Sequence, residues 1–225
     1  KGKMCGTLTE GSTFSFYFGH HMTTVEGGMV STDNEELYQI MKAKRSHGMA
    51  RELDKEYYEQ AMEKHPNIHP MFLFITDGYN FRNSEIYAVL GKSQLKNLND
   101  SNDKRKKNYL RFLEIISEYK DYIHSDLIEQ GVSSFCLQFI CKTETIRNKL
   151  EKYLQESGVE TRPLCSGNLL RQPFLKESGY KPEDFPNAEY LHKHGFFIGN
   201  NHLITDEDFN RLHSDIDRAC KRMSE

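Results

Sequence analysis

The 225-residue sequence has no apolar run long enough to span a bilayer. Its longest, Met71-Phe72-Leu73-Phe74-Ile75, falls far short of the ~20 residues a membrane helix needs. The stretch from Lys1 to Gly11 lacks the apolar core of a secretory signal, although the chain begins without methionine. A basic excess is missing too: 30 Lys+Arg against 33 Asp+Glu leave a net charge of −3, which argues against a polyanion binder. The five cysteines (Cys5, Cys136, Cys141, Cys165, Cys220) are scattered, with no C-x-x-C pair, so no zinc or iron–sulfur site is expected within the chain. They fit the thiols of a reducing cytoplasm. There is no internal repeat and no low-complexity linker.

What is present reads as α/β followed by α+β, with a boundary near residue 99. Residues 13–18, Thr-Phe-Ser-Phe-Tyr-Phe, alternate, which predicts a strand with Phe14, Phe16 and Phe18 on a core face. Gly27–Thr32 reads as a second strand. Thr32 and Asp33 followed by Glu35 and Glu36 predict a capped helix to about Lys44. A helix is expected over 53–64, stopping before Pro66, and the run 71–76 reads as a buried strand. A helix from Ser84 to Leu98 is expected to break at Asn99–Asp103, before a long amphipathic helix from Lys104 to Ile123 whose basic start is a solvated first turn. Residues 134–141, 143–156 and 159–164 read as strand, helix and strand, with Gly158 at the helix C-terminus. An irregular stretch runs to Pro186, followed by a strand over 195–201. Thr205 and Asp208 cap a final helix.

His20 and His21 stand side by side after the first strand. In extended chain they point to opposite sides, and no carboxylate or cysteine lies at ligand spacing, so a shared metal ion is not expected. No histidine pair has the H-E-x-x-H pattern, and most of the ten read as surface or structural residues.

Taken together, several segments resemble the nucleotide-sugar aminotransferase and dehydratase family (the DegT/StrS group), fold-type I enzymes that use pyridoxal phosphate (PLP). "SFYFGHHMTTVEGGMVSTD" resembles the family's cofactor-lysine segment: Ser15 matches its serine, Glu26-Gly27-Gly28 its loop end, and His20 stands at its lysine. "GYNFRNSEIYAVLGKSQLKNL", "GVETRPL", "FPNAEYL" and "LITDEDFNRL" resemble later family segments in the same order. The resemblance covers essentially the whole chain.

The resemblance implies the C-terminal part of such an enzyme: residues 1–99 the end of the large, mixed-sheet PLP-binding domain, and 100–225 the smaller α+β domain. The family's aspartate that pairs with the pyridine nitrogen and its phosphate-cradling turn belong to the segment before residue 1, so this chain alone is expected to bind PLP poorly and be inactive. Lysine carries PLP as an imine, which imidazole cannot form, while imidazole remains a base near neutral pH. The swap therefore resembles the family's sugar 3-dehydratases. One kind, acting on a CDP-linked hexulose, uses a cysteine-held iron–sulfur cluster, and no cysteine lies here between Cys5 and Cys136. The other kind removes the C3 hydroxyl of a GDP-linked 4-keto-6-deoxy sugar towards colitose, an O-antigen sugar of lipopolysaccharide.

That resemblance implies that L-glutamate converts PLP to pyridoxamine phosphate (PMP), that His20 is the base, and that ammonia is released. It also implies that Ser15 contacts the cofactor phosphate and Asn80 the phosphate of a neighbouring subunit in a homodimer. Arg51, Arg82 and Arg162 are expected to meet the glutamate carboxylate or the GDP diphosphate. No metal, membrane or nucleic-acid role is expected. The alternatives are a degenerate, non-catalytic PLP-fold binding subunit, or a lysine-dependent sugar aminotransferase, which His20 opposes.

Overall fold

The alternating N-terminal pattern folds as a hairpin. Strand β1 (Gly11–Ser15) pairs antiparallel with β2 (Gly28–Thr32), with Thr13 opposite Val30 and Ser15 opposite Gly28 on the last rung. The computed structural model describes residues 2–224 and divides into two compact units, Lys1–Lys96 and Asn97–Glu225.

β1 stops earlier than the alternation predicts. After Phe16 the chain turns: Tyr17 N donates to Ser15 Oγ (3.3 Å) and His20 N to Tyr17 O (3.1 Å). These local bonds compete with ladder pairing. The expected core face is not formed in this unit, because a two-stranded hairpin has no second layer; Phe14 is 38 % and Phe18 74 % exposed.

Helix α1 (Glu35–Lys44) begins at Asn34, one residue after the expected cap, with Asn34 Oδ1 accepting from Leu37 N at 3.0 Å. Thr32 instead closes a turn, its Oγ1 accepting from Asn34 N (3.1 Å). Helix α2 (Lys55–Lys64) stops before Pro66. His65 and His69 stand four apart, but one ends α2 and the other caps a 3₁₀ turn through Nδ1, so they share no helix face.

The run 71–76 is not a buried strand. Pro70 starts a 3₁₀ turn, only Leu73 is buried, and Phe72 and Phe74 remain exposed. The segment crosses back over residues 44–50 instead: Ala50 N donates to Leu73 O (2.9 Å), Ile75 N to Gly48 O (2.9 Å), His47 N to Tyr79 O (2.7 Å) and Phe81 N to Arg45 O (2.8 Å). Two glycines permit the crossing. A Cβ on Gly48 (φ +79°) would lie 1.9 Å from Thr76 O, and one on Gly78 2.2 Å from Gly48 N.

Helix α3 (Glu85–Leu95) is capped by Ser84, whose Oγ accepts from Ile86 N (3.3 Å). The break after it falls at Lys96–Asn97, because α4 (Leu98–Ser117) already includes Asn99–Asp103. Those residues occupy the helix start, where acidic side chains favour the positive end of the dipole. The basic cluster therefore lies past the first turn: Lys104, Lys106 and Lys107 are solvated as expected, but Arg105 is buried and donates to the carbonyl of Asn200, whose Nδ2 donates back to Arg105 O (3.0 Å).

The second unit holds a three-stranded sheet in the order β3 (Cys136–Ile140), β5 (Gly195–Gly199), β4 (Thr161–Pro163), with β5 antiparallel to both neighbours. Helix α5 (Glu144–Glu156), capped by Thr143, joins β3 to β4, and Gly158 at φ +85° turns the chain after it. This makes a split β-α-β unit with β5 inserted. Helix α6 (Pro186–His194), not foreseen between the irregular stretch and the strand, leads into β5. Helix α7 (Asp206–Ser224) starts with reciprocal bonds between Thr205 and Asp208. The core lies between sheet and helices, where Phe139 stacks on Phe196 (4.7 Å) and meets Phe112 edge-on (5.0 Å) over Leu150 and Ile216. Among the described residues no helix is long and apolar enough to cross a membrane.

Candidate functional site

The connection from Phe16 to Gly27 carries the two histidines. It is tied internally rather than left open: Thr23 Oγ1 donates to Phe16 O (3.2 Å), Val25 N to Thr23 Oγ1 (3.0 Å), and buried Thr24 donates through Oγ1 to Glu26 O (2.7 Å). Val25 holds φ +74°, a conformation that costs a β-branched residue free energy and requires such support. His20 is half-buried in the turn, with the Tyr17 ring edge-on to its own at 6.3 Å. His20 and His21 thus sit in a turn rather than in extended chain.

Glu26-Gly27-Gly28 closes the loop on two sides. A Cβ on Gly27 (φ +146°) would stand 2.6 Å from Thr24 Oγ1 and 3.2 Å from Asn83 Nδ2, and one on Gly28 3.0 Å from Phe14 O. The absence of a side chain at Gly27 therefore lets the histidine loop approach the Asn83 carboxamide closely.

An open cleft of ≈ 610 Å³ lies there, bounded by Glu26, Met29, Arg45, Phe81 and Arg82. Lys42 also lines it, but its Nζ is held by Asp54 Oδ1 at 2.6 Å. That bond, helped by Gln39, holds the Asp54 carboxyl below its ordinary value. Arg45 and Arg82 face Glu26 in the cleft's charge balance, which leaves it net positive. Arg82 Nη2 lies 3.3 Å from His47 Nε2.

The expected residues distribute as follows. Ser15 stands opposite Gly28, a lining residue of the cleft, and Arg82 lines it directly. Asn80 is exposed and bridges to Ser46 through the backbone, two residues before Arg82. Arg51 sits in the 3₁₀ turn Ala50–Glu52, outside the cleft lining, with Nε 4.0 Å from Glu52 Oε1. Arg162 belongs to the second unit, on β4, and its Nε donates to Glu160 Oε1 at 3.1 Å. Arg45 and His47 were not singled out from sequence; the alternation of basic residues around Ser46, just before a glycine, is the signal that could have found them.

In the second unit, Cys165, Ser166 and Gly167 are consecutive left-handed residues (φ +39°, +66° and +73°) that follow the Arg162–Pro163 strand. The turn is anchored by buried Asn168, whose Nδ2 donates to Pro182 O (3.2 Å) and Glu189 Oε2 (3.1 Å). Glu189 also accepts from Arg171 Nε (3.0 Å). Arg171 above all, with Asn168 and Lys193 adding to it, pulls the Glu189 carboxyl down to about 2.

This chain belongs to the DegT/DnrJ/EryC1/StrS aminotransferase family, whose pattern matches residues 1–217. It is 36% identical over 216 residues to the GDP-4-keto-6-deoxy-D-mannose 3-dehydratase of Escherichia coli O55:H7, which takes in 93% of this chain and 55% of that enzyme. The solved E. coli GDP-4-keto-6-deoxy-D-mannose-3-dehydratase with bound hydrated PLP is similar at a TM-score of 0.82 and 30% identity, over 96% of this chain and 56% of that one. A GDP-4-keto-6-deoxymannose-3-dehydratase structure with a trapped PLP-glutamate geminal diamine gives 0.81 and 31%, again over 96% and 56%. The chain thus spans about half the length of the relatives it matches, and its fold is that of the PLP aminotransferases.

Proposed function

We propose that this chain carries the histidine-bearing part of a PLP/PMP-dependent nucleotide-sugar 3-dehydratase. Its substrate is GDP-4-keto-6-deoxy-D-mannose, from which it removes the C3 hydroxyl with L-glutamate as amino donor and release of ammonia. What carries the reading is the sequence match that sets His20 where the family's lysine would stand, in a half-buried bend of the Phe16–Gly27 connection whose Glu26-Gly27-Gly28 end lines the cleft, although His20 itself is not among the lining residues. The similarity to two dehydratases of that name, one with PLP and one with a PLP-glutamate adduct, supports it.

The donor set of this unit suits a phosphate-bearing cofactor. Ser15 Oγ accepts from Tyr17 N, so its own proton is available to donate to a phosphate oxygen. The exposed Asn80 carboxamide offers two further donors, in the reading to the cofactor of the neighbouring subunit of a homodimer. When bound, the cofactor supplies an amine that condenses with a ketone and a conjugated ring that spreads negative charge.

The chain's own residues do the rest. In this reading His20 takes up the proton that the reaction removes and returns it to the C3 oxygen as that oxygen departs as water. Arg82, in the cleft, forks onto an anionic group, the glutamate carboxylate or the GDP diphosphate; Arg51 and Arg162, which lie outside that cleft, are proposed anion contacts on their residue type alone. In this reading the first unit, which ends at Lys96 and so close to the expected boundary at residue 99, is the end of the large domain and the second is the small one, in a cytoplasmic enzyme.

The test is an assay of the polypeptide extended to the length of its relatives. Ammonia and a 3-deoxy sugar should form from GDP-4-keto-6-deoxymannose only with both PLP and L-glutamate present. An aminated sugar as the stable product would instead make it an aminotransferase and sink the reading.

A further inference from the structure

His47 lies outside the residues assigned to the reaction, yet its ring contacts one of them. Arg82 Nη2 is 3.3 Å from His47 Nε2. A guanidinium offers only N–H donors and stays charged, so this contact is a hydrogen bond only where Nε2 presents a lone pair. The imidazole is then neutral, with its proton on Nδ1. The opposite tautomer would set two N–H groups against each other, and a charged ring would set two cations in contact.

The backbone around His47 is fixed as firmly. His47 holds φ +63°, in the left-handed region, and its N–H donates to Tyr79 O at 2.7 Å. Gly48 and Gly78, whose side chains would collide with the opposite strand of the crossing, hold residues 47–48 against 76–79. The same crossing carries Arg82, since Phe81 N is bonded to Arg45 O at 2.8 Å.

We propose that His47 is a positioning residue: as a neutral, Nδ1-protonated acceptor it fixes the Arg82 guanidinium in one orientation at the cleft, leaving the remaining N–H groups to fork onto an anionic group of the substrate or cofactor. The anion is a carboxylate or a phosphate, both of which a guanidinium edge matches. This rests on the reading of Arg82 as an anion contact.

The test has two arms. Long-range ¹H–¹⁵N correlation of the labelled chain reads the tautomer of His47 directly. The expected pattern is neutral with the proton on Nδ1, moving to the Nε2-protonated form in Arg82→Met. A ring protonated on Nε2 in the unmodified chain, or a pattern that Arg82→Met leaves unmoved, overturns the proposal. In the second arm, L-glutamate and inorganic pyrophosphate are titrated separately while the Arg82 Nε resonance is followed, which separates carboxylate from phosphate. His47→Phe should weaken the anion that binds by about 10-fold, and His47→Gln, whose Oε1 stands in for Nε2, should restore it to within about 2-fold. Equal loss in both variants would make His47 merely structural and overturn the proposal. Response to neither anion, with the tautomer as expected, would remove Arg82 as an anion contact and its positioning partner with it.

Discussion

At the scale of single residues, the account turns on what an imidazole can do that an amine cannot, and the reverse. His20 can move a proton but cannot carry the cofactor as an imine. In the proposed reading His20→Asn keeps polarity and approximate size while removing the base, so the dehydration rate should fall by about 10²–10⁴-fold, with cofactor binding retained. Rate and cofactor absorbance measured on one preparation separate the two effects; equal loss of both would assign His20 to binding. Part of the candidate site's arrangement was legible beforehand. His20, Ser15, the Glu26–Gly28 loop and Arg82 stand in a recognisable linear order, and the last two meet in one cleft. Arg45 and His47 were not legible, because their relation to Arg82 comes from two segments crossing, and no local pattern records a crossing.

At the scale of elements, that crossing is held by backbone approach rather than by an apolar face. Gly48→Ala places a Cβ against Thr76 O in a left-handed residue, and should cost well over ~1 kcal/mol of stability, read from the denaturant midpoint. A variant within error of the parent would show that the crossing is not as close as described. The same feature explains why residues 71–76 misled: an apolar run normally signals a buried strand, but this unit's only described sheet is a hairpin that the run does not join, and Pro70 sets a turn. Asn99–Asp103 misled for a different reason, since residues that break a helix interior are favoured at its start. The split β-α-β unit was legible because strand and helix periods change where Thr143 and Gly158 punctuate them; α6 was hidden by the prolines and charges around it.

The turn after β4 adds a pH dependence. Glu189 is held at about 2, down from 4.5, first by Arg171. A folded value below the unfolded one stabilises fully above pH 4.5 and is lost as pH falls towards 2. Glu189→Gln should therefore be less stable than the parent at pH 7, with the gap closing between pH 4.5 and 2 in thermal melts. A gap constant across that range would contradict the ion pair's role.

At the scale of the whole molecule, the two units differ in how they are built. The second has a continuous core, and Phe139→Ala there, which removes the ring between Phe112 and Phe196, should cost about 3–5 kcal/mol. The first exposes much of its apolar surface, including Phe14, Phe18, Ile86 and Val89, while carrying His20, Ser15, Asn80 and Arg82. The chain spans about half the length of the relatives it matches. The most direct test is an absorbance spectrum with PLP, before and after L-glutamate, on the polypeptide extended to that length. The account predicts no lysine-type imine band beforehand and conversion of the aldehyde form to the amine form after glutamate. A lysine-type imine, or PLP bound without any response to glutamate, would contradict it.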